Sequence, residues 1–203
     1  RDNIVVHLRF LDIALAALNM KKEPQLDGMA TDGKTLYYDP VWVLKTYEKE
    51  PQMVARTYLH LLLHLVFAHS FQYDKVDADT WNLSVDIAVE YTICQMHLDA
   101  VSISKDVELG EKFHILKKQL NQLTADKVYR YLRVNELSRS GMEEWSNLFY
   151  KDQHVKWLGK ESSKEQMEEW LKISERIKTD LKTFSKDGSG SETLEGNLKE
   201  ATK

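Results

Sequence analysis

Between Ile4 and Leu18 the apolar residues Ile4, Val5, Leu8, Leu11, Ala14, Leu15 and Leu18 recur at helical spacing, which predicts an opening helix that buries one face. The pattern changes between Met20 and Pro40. Pro24, Gly28 and the triplet Thr31-Asp32-Gly33 break helices, and the β-branched and aromatic run Thr35 to Tyr38 reads as a strand. A small β-hairpin near residues 28–38, turning at Asp32-Gly33, is expected. Pro40 fits the first turn of a short helix to about Lys49, and Pro51 opens a longer one to about Ser70. That second helix carries the core line Met53, Tyr58, Leu59, Leu62, Leu63, Val66 and Phe67, and from Leu59 to Ala68 it is apolar on nearly every side, so it belongs at the centre of the domain.

The next helix, capped by Asp77 or Asp79, extends to about His97 through Trp81, Leu83, Ile87, Val89, Ile93 and Met96 and is also central. A polar stretch from Ser102 to Gly110 leads to a helix near Glu111–Leu120. Thr124 is placed to cap another over Ala125–Val134. Helical spacing returns from Gly141 to Tyr150, Asp152 to Trp157 reads as a loop, and Glu161 to about Phe184 forms a long, strongly charged helix. Lys186 to Ser191 has linker composition, and the remainder reads as a polar tail with little to bury. The fold class is mainly α, without internal repeats.

Composition narrows the class. The 203 residues suffice for one fair-sized domain, and 42% hydrophobic with 30% charged residues is ordinary for a folded globular chain. A net charge of −4 and a pI near 6.0 give no general attraction to nucleic acid or anionic lipid. No apolar run of about 18–20 residues follows a basic start, so neither a signal peptide nor a membrane span is expected. The single cysteine, Cys94, cannot form an intrachain disulfide, which fits a reducing cytoplasm; on its apolar helix it reads as a small buried hydrophobe. Trp81, Trp145, Trp157, Tyr37 and Tyr38 read as packing residues. The start at Arg1 and the polar end fit a fragment of a longer protein.

The candidate chemistry lies on the two central helices. His60 and His64 are four apart, so both rings leave one helix face a turn from each other and can share a zinc ion. Packed core histidines are the plainer alternative, but each buried imidazole then needs a hydrogen-bond partner. Asp86 is the expected third ligand, and Glu90 shares its helix face one turn on; a solvated acidic edge or an ion pair is the alternative there. His69 is a further third-ligand candidate. On a straight helix it points away from His60, an objection that a helix ending near Ala68 would relax. Asp152 and His154, two apart, could supply a ligand or base and the carboxylate that orients it, or simply a polar loop.

Taken together, Ala30 to Gly33 with Leu36 to Pro40, His60 to His69, Trp81 to Asp86, and more loosely Asp152 to His154 and Asp180 to Ser185, give most of the chain a family likeness. It resembles the metallopeptidase-like domain found N-terminal to a von Willebrand factor A-like (VWA-like) domain in bacterial proteins. That resemblance implies a zincin-like helical domain over residues 1–158, and a long helix of the same domain or a connector over 159–185. Residues 186–203 would then be a linker or tail toward a further C-terminal domain. It also implies zinc held by His60, His64 and Asp86, with His69 as the alternative. Its implied partners are the VWA-like domain, a MoxR-type AAA ATPase and a peptide or protein substrate.

Family members commonly carry His-Glu-x-x-His, whose glutamate accepts the proton of the attacking water. Here that position is Leu61, which cannot accept a proton. Glu90 is the candidate substitute base. Three functions therefore stand as expectations: a zinc-binding domain whose hydrolytic activity is lost or altered, an active zinc peptidase with an unconventional base, and a metal-free helical interaction scaffold.

Overall fold

The computed structural model describes residues 8–71, 77–135, 137–157, 163–184 and 192–202. Among the described residues there are nine α-helices and one small sheet, a mainly α architecture. In chain order these are α1 (Asp12–Ala17), β1 (Asn19–Lys22), β2 (Met29–Thr31), β3 (Thr35–Tyr38), α2 (Pro40–Lys49), α3 (Pro51–Val66), α4 (Ala78–Gln95), α5 (Asp106–Lys117), α6 (Ala125–Val134), α7 (Arg139–Phe149), α8 (Ser163–Phe184) and α9 (Glu192–Ala201).

The expected hairpin is present. β2 and β3 pair antiparallel, Met29 opposite Tyr38 and Thr31 opposite Leu36. The connection is set by side chains: Asp32 Oδ1 accepts from the Lys34 and Thr35 amides at 2.9 and 2.8 Å, and Gly33 takes φ +88°, which glycine adopts without a Cβ clash. Periodicity does not disclose β1, an exposed four-residue strand that joins β3 in parallel and makes the order β1-β3-β2. β2 is therefore an edge of the sheet.

Helices α3 and α4 form the centre. From Arg56 to Val66 every residue of α3 is buried, as are twelve residues of α4. One apolar cluster gathers α1, the sheet, α3, α8 and α9 around Leu59, Leu62, Leu63 and Val66. A second packs the other face of α4, through Leu83 and Ile87, against α5, α6 and α7. Asp77 caps α4, accepting from the Thr80 amide at 2.9 Å. No helix of the described residues is long and apolar enough to cross a membrane.

Several boundaries move. The opening helix is a 3-10 turn, Arg9–Leu11, followed by α1, and Ile4 and Val5 lie outside the described residues. Helix α3 stops at Val66 rather than Ser70, because Ala68 takes φ +57° and a 3-10 turn follows at His69–Phe71. Helix α5 begins at Asp106 inside the expected polar stretch, its first turn tied by Asp106 Oδ2 accepting from the Ile103 amide at 2.9 Å. Thr124 precedes α6 but makes no capping bond; its hydroxyl donates to Glu200 instead. The expected linker at 186–191 lies outside the described residues, but beyond it the chain is not an unpacked tail. On α9, Leu194 and Leu198 are fully buried in the main cluster beside Ala201, because three apolar positions in a short polar window suffice when a neighbouring surface is ready to receive them.

Leu62 has no exposed surface whereas Leu44, on α2, is 71% exposed. Leu62→Ala is expected to cost about 2–5 kcal/mol in chemical denaturation and Leu44→Ala no more than about 0.5 kcal/mol. Equal effects would contradict the placement of α3 at the centre.

Candidate metal centre

Two polar stripes face each other across the central helices. On α3, Arg56, His60 and His64 follow one another at four-residue spacing; on α4, Asn82, Asp86 and Glu90 do the same. Apart from half-buried Asn82, both stripes are buried among apolar residues, so their polar groups must find partners in each other. His60 Nδ1 lies 2.7 Å from Glu90 Oε1, and His64 Nε2 lies 3.2 Å from Asp86 Oδ1. The helices thus pass in opposite senses.

Arg56 grips the far end of this arrangement. Its Nε donates to Glu90 Oε2 at 2.9 Å, and its Nη1 donates to the Val101 carbonyl at 2.8 Å and reaches Asp106 Oδ1 at 3.0 Å. Burial alone would raise the Glu90 pKa, but the Arg56 charge and the His60 hydrogen bond outweigh it and bring it down to about 2. An ionised carboxylate can only accept, so His60 Nδ1 carries a proton, and in the neutral ring Nε2 presents the lone pair that a metal needs.

The other imidazoles also have partners on their outer nitrogens. His64 Nδ1 meets His69 Nδ1 at 3.2 Å, leaving His64 Nε2 turned inward. His154 Nδ1 lies 3.0 Å from Asn82 Oδ1, to which it donates, and its Nε2 faces Asp86 and Asp152, 3.2 Å from an oxygen of each. The His154 ring stacks on the Trp157 indole with centroids 3.7 Å apart, and Trp157 also lies over His64 at 5.2 Å.

One ligand atom from each of His60, His64, Asp86 and Asp152 lies within 4.8 Å of the others, and all four residues are buried. His60 Nε2 is 2.8 Å from His64 Nε2, 3.4 Å from Asp86 Oδ1 and 3.4 Å from Asp152 Oδ1. A tetrahedron with bonds of about 2.0–2.1 Å has edges of about 3.3–3.4 Å, close to most of these separations. Asp152 Oδ1, Asp152 Oδ2 and His154 Nε2 are buried without a hydrogen-bond partner among the described residues, even though Asp152 and His154 approach to 3.2 Å. Asp152 Oδ1 also faces the His60 and His64 rings, 3.4 and 4.0 Å from their Nε2 atoms, within the group of four. The set fits a metal ion, which the four residues can hold.

Charge gives the same picture. Burial opposes a proton on His60 and on His154, yet neighbouring carboxylates outweigh it and lift them to about 9 and about 10. At His64 burial prevails over the Asp86 hydrogen bond and leaves about 4. Asp86 and Asp152, despite burial, are held below the usual carboxylate range, chiefly by the charge on His154. A divalent metal held between the two carboxylates would take the place of those protons.

The positions singled out by sequence therefore meet, in different roles. His60, His64 and Asp86 converge, Asp152 joins them, and His154 stands beside the two aspartates. His69 comes close once α3 ends, but against the outer nitrogen of His64. Glu90 sits behind His60 with both oxygens engaged. Leu61 has no exposed surface and lies in the main apolar cluster. Trp157, expected as a packing residue, lies against the site. Sequence reasoning passed over Arg56, Asn82 and Lys151, whose Nζ donates to the Leu148 carbonyl at 2.6 Å and approaches Glu90 to 4.0 Å. The four-residue continuation of each stripe was the available signal for the first two.

A family model described as "Putative metallopeptidase domain" matches residues 3–203. No curated protein and no solved structure matches the chain.

Removing one partner of a buried ion pair strands the other. Arg56→Met is expected to cost about 3–5 kcal/mol in chemical denaturation, and Arg56→Met/Glu90→Leu distinctly less than the two single changes added together. A loss under about 1 kcal/mol for Arg56→Met would show the pair to be dispensable.

Proposed function

Since this chain belongs to the family described as "Putative metallopeptidase domain", we propose that it is a zinc-binding domain of peptidase descent whose site serves structure or protein interaction rather than hydrolysis. The observation that carries this reading is the buried quartet His60, His64, Asp86 and Asp152. Two imidazoles and two carboxylates suit zinc, and four protein ligands with no position left over are the mark of a structural zinc site; catalytic sites keep one open. A zinc ion with an open position would polarise a carbonyl and lower the pKa of a water. In this chain Asp152 fills the place such a position would need, and Leu61 offers no proton acceptor.

The chain's own residues have distinct tasks in this reading. His60, His64, Asp86 and Asp152 ligate. Glu90 is a positioning group: it fixes the His60 tautomer through Nδ1 and is itself fixed by Arg56. His69 does the same for His64, and Asn82 with Trp157 orients His154. In this reading the partners that the sequence resemblance implies, a VWA-like domain and a MoxR-type ATPase, would meet the surface of this domain.

Metal analysis by inductively coupled plasma mass spectrometry on protein purified without a metal-affinity tag tests the reading. Near one zinc per chain, lost in His60→Ala/His64→Ala, is expected; no metal in the wild type after zinc addition and dialysis would overturn it. Glu90→Gln is expected to weaken zinc binding by about 10–100-fold in a chelator competition while leaving one site per chain. Unchanged affinity would remove Glu90 from any part in the site.

A further inference from the structure

Asp152 reaches the centre by an unusual route. His60, His64 and Asp86 stand on long helices, whereas Asp152 follows α7 in a segment with only a 3-10 turn at His154–Lys156. That segment lies along the free edge of β2. The Gln153 amide donates to the Met29 carbonyl at 2.8 Å, and Gln153 pairs with Ala30 in a parallel bridge. Alternate side chains of an extended segment point to opposite faces, so pairing at Gln153 sends Asp152 and His154 to one side together. Both arrive at the metal centre, while the Gln153 side chain lies against Gly28, its Cγ 3.4 Å from where a Cβ there would be.

The segment is also held against a cost. Both Asp152 carboxylate oxygens are buried without a hydrogen-bond partner among the described residues, and Asp86 stands close by with the same charge. Beside the segment lies a groove of about 270 Å³ lined by Trp42, Thr57, Tyr150, Lys151 and Asp152, and the Thr57 hydroxyl is another buried group without a partner. Seating Asp152 thus takes a carboxylate out of water beside a second one, where the imidazoles of His60, His64 and His154 face it.

We propose that Gln153 is a positioning residue for the metal: its main-chain pairing with β2 sets Asp152 as the fourth ligand, so that strand pairing and metal binding form one coupled equilibrium. This rests on the zinc-binding reading above. The coupling is reciprocal, so whatever factor the pairing contributes to metal affinity, the metal returns to the pairing. A residue with no ligand atom of its own then controls the metal through its N–H.

Chelator competition with zinc on the full chain, comparing wild type, Gln153→Ala, Gln153→Pro and Asp152→Asn, tests this. Gln153→Ala keeps the N–H and is expected to bind within about twofold of wild type. Gln153→Pro lacks it and is expected to lose about 10–100-fold, as is Asp152→Asn, with circular dichroism unchanged. Hydrogen exchange on the wild type gives a reading independent of any variant: zinc is expected to slow exchange at the Gln153 amide by at least about tenfold. Gln153→Pro binding zinc as tightly as wild type, or a Gln153 amide indifferent to zinc, would overturn the proposal while the zinc-binding reading stands. Failure of every protein, wild type included, to take up zinc would overturn both.

Discussion

Three carboxylates, Asp86, Glu90 and Asp152, are buried around the His60 ring, and the rest of the structure is arranged around neutralising them. A buried charge without a partner costs several kcal/mol, so a cluster of this kind persists only where cations are delivered with good geometry. Arg56 supplies one, shared between Glu90 and Asp106, with Lys151 near the same carboxylate. Asp86 and Asp152 have only imidazoles. The demand for positive charge at that point links the architecture to its chemistry, because the two groups that most need a cation are also oxygen donors beside two nitrogen lone pairs.

The apolar packing makes that demand unavoidable. Helix α3 is buried on every side over its last three turns, so His60 and His64 cannot turn to solvent. Helix α4 lies between the two main apolar clusters and is equally constrained. Close-packed apolar walls fix where the donor atoms sit and keep the local dielectric low, which strengthens every electrostatic contact within them.

Much of this was legible in the sequence. Four-residue spacing inside an apolar run identified His60 with His64 and Asp86 with Glu90, because helical geometry turns such spacing into a shared face. The hairpin at Asp32-Gly33 and the starts of α2 and α3 followed from turn chemistry and prolines. What could not be read depended on distant contacts. Asp152 stood out only as a neighbour of His154; its place in the quartet depends on a strand edge some 120 positions earlier. Glu90 was legible as a member of the site, but its place behind His60 was not, since spacing along α4 does not tell which side of an imidazole a carboxylate meets. The burial of Leu194 and Leu198 was hidden because three apolar residues carry weak periodicity until a packed surface gives them somewhere to go. The turn at Ala68, which brings His69 beside His64, depends on a left-handed residue that no glycine announces.

The donors are also spread along the chain in a telling order. During synthesis α3 and α4 emerge first and carry three of the four, while Asp152 follows only after α5, α6 and α7. An ion captured by the nascent chain would sit in an incomplete shell, exposed to exchange with cellular chelators. Once Asp152 arrived, the same ion would become a cross-link that closes two loops, about 20 and about 65 residues long, and removes chain entropy from the unfolded state much as a disulfide would. Maturation of the site would thus coincide with completion of the fold, and resistance to chelation would report that the whole domain, rather than its central pair of helices alone, had been assembled.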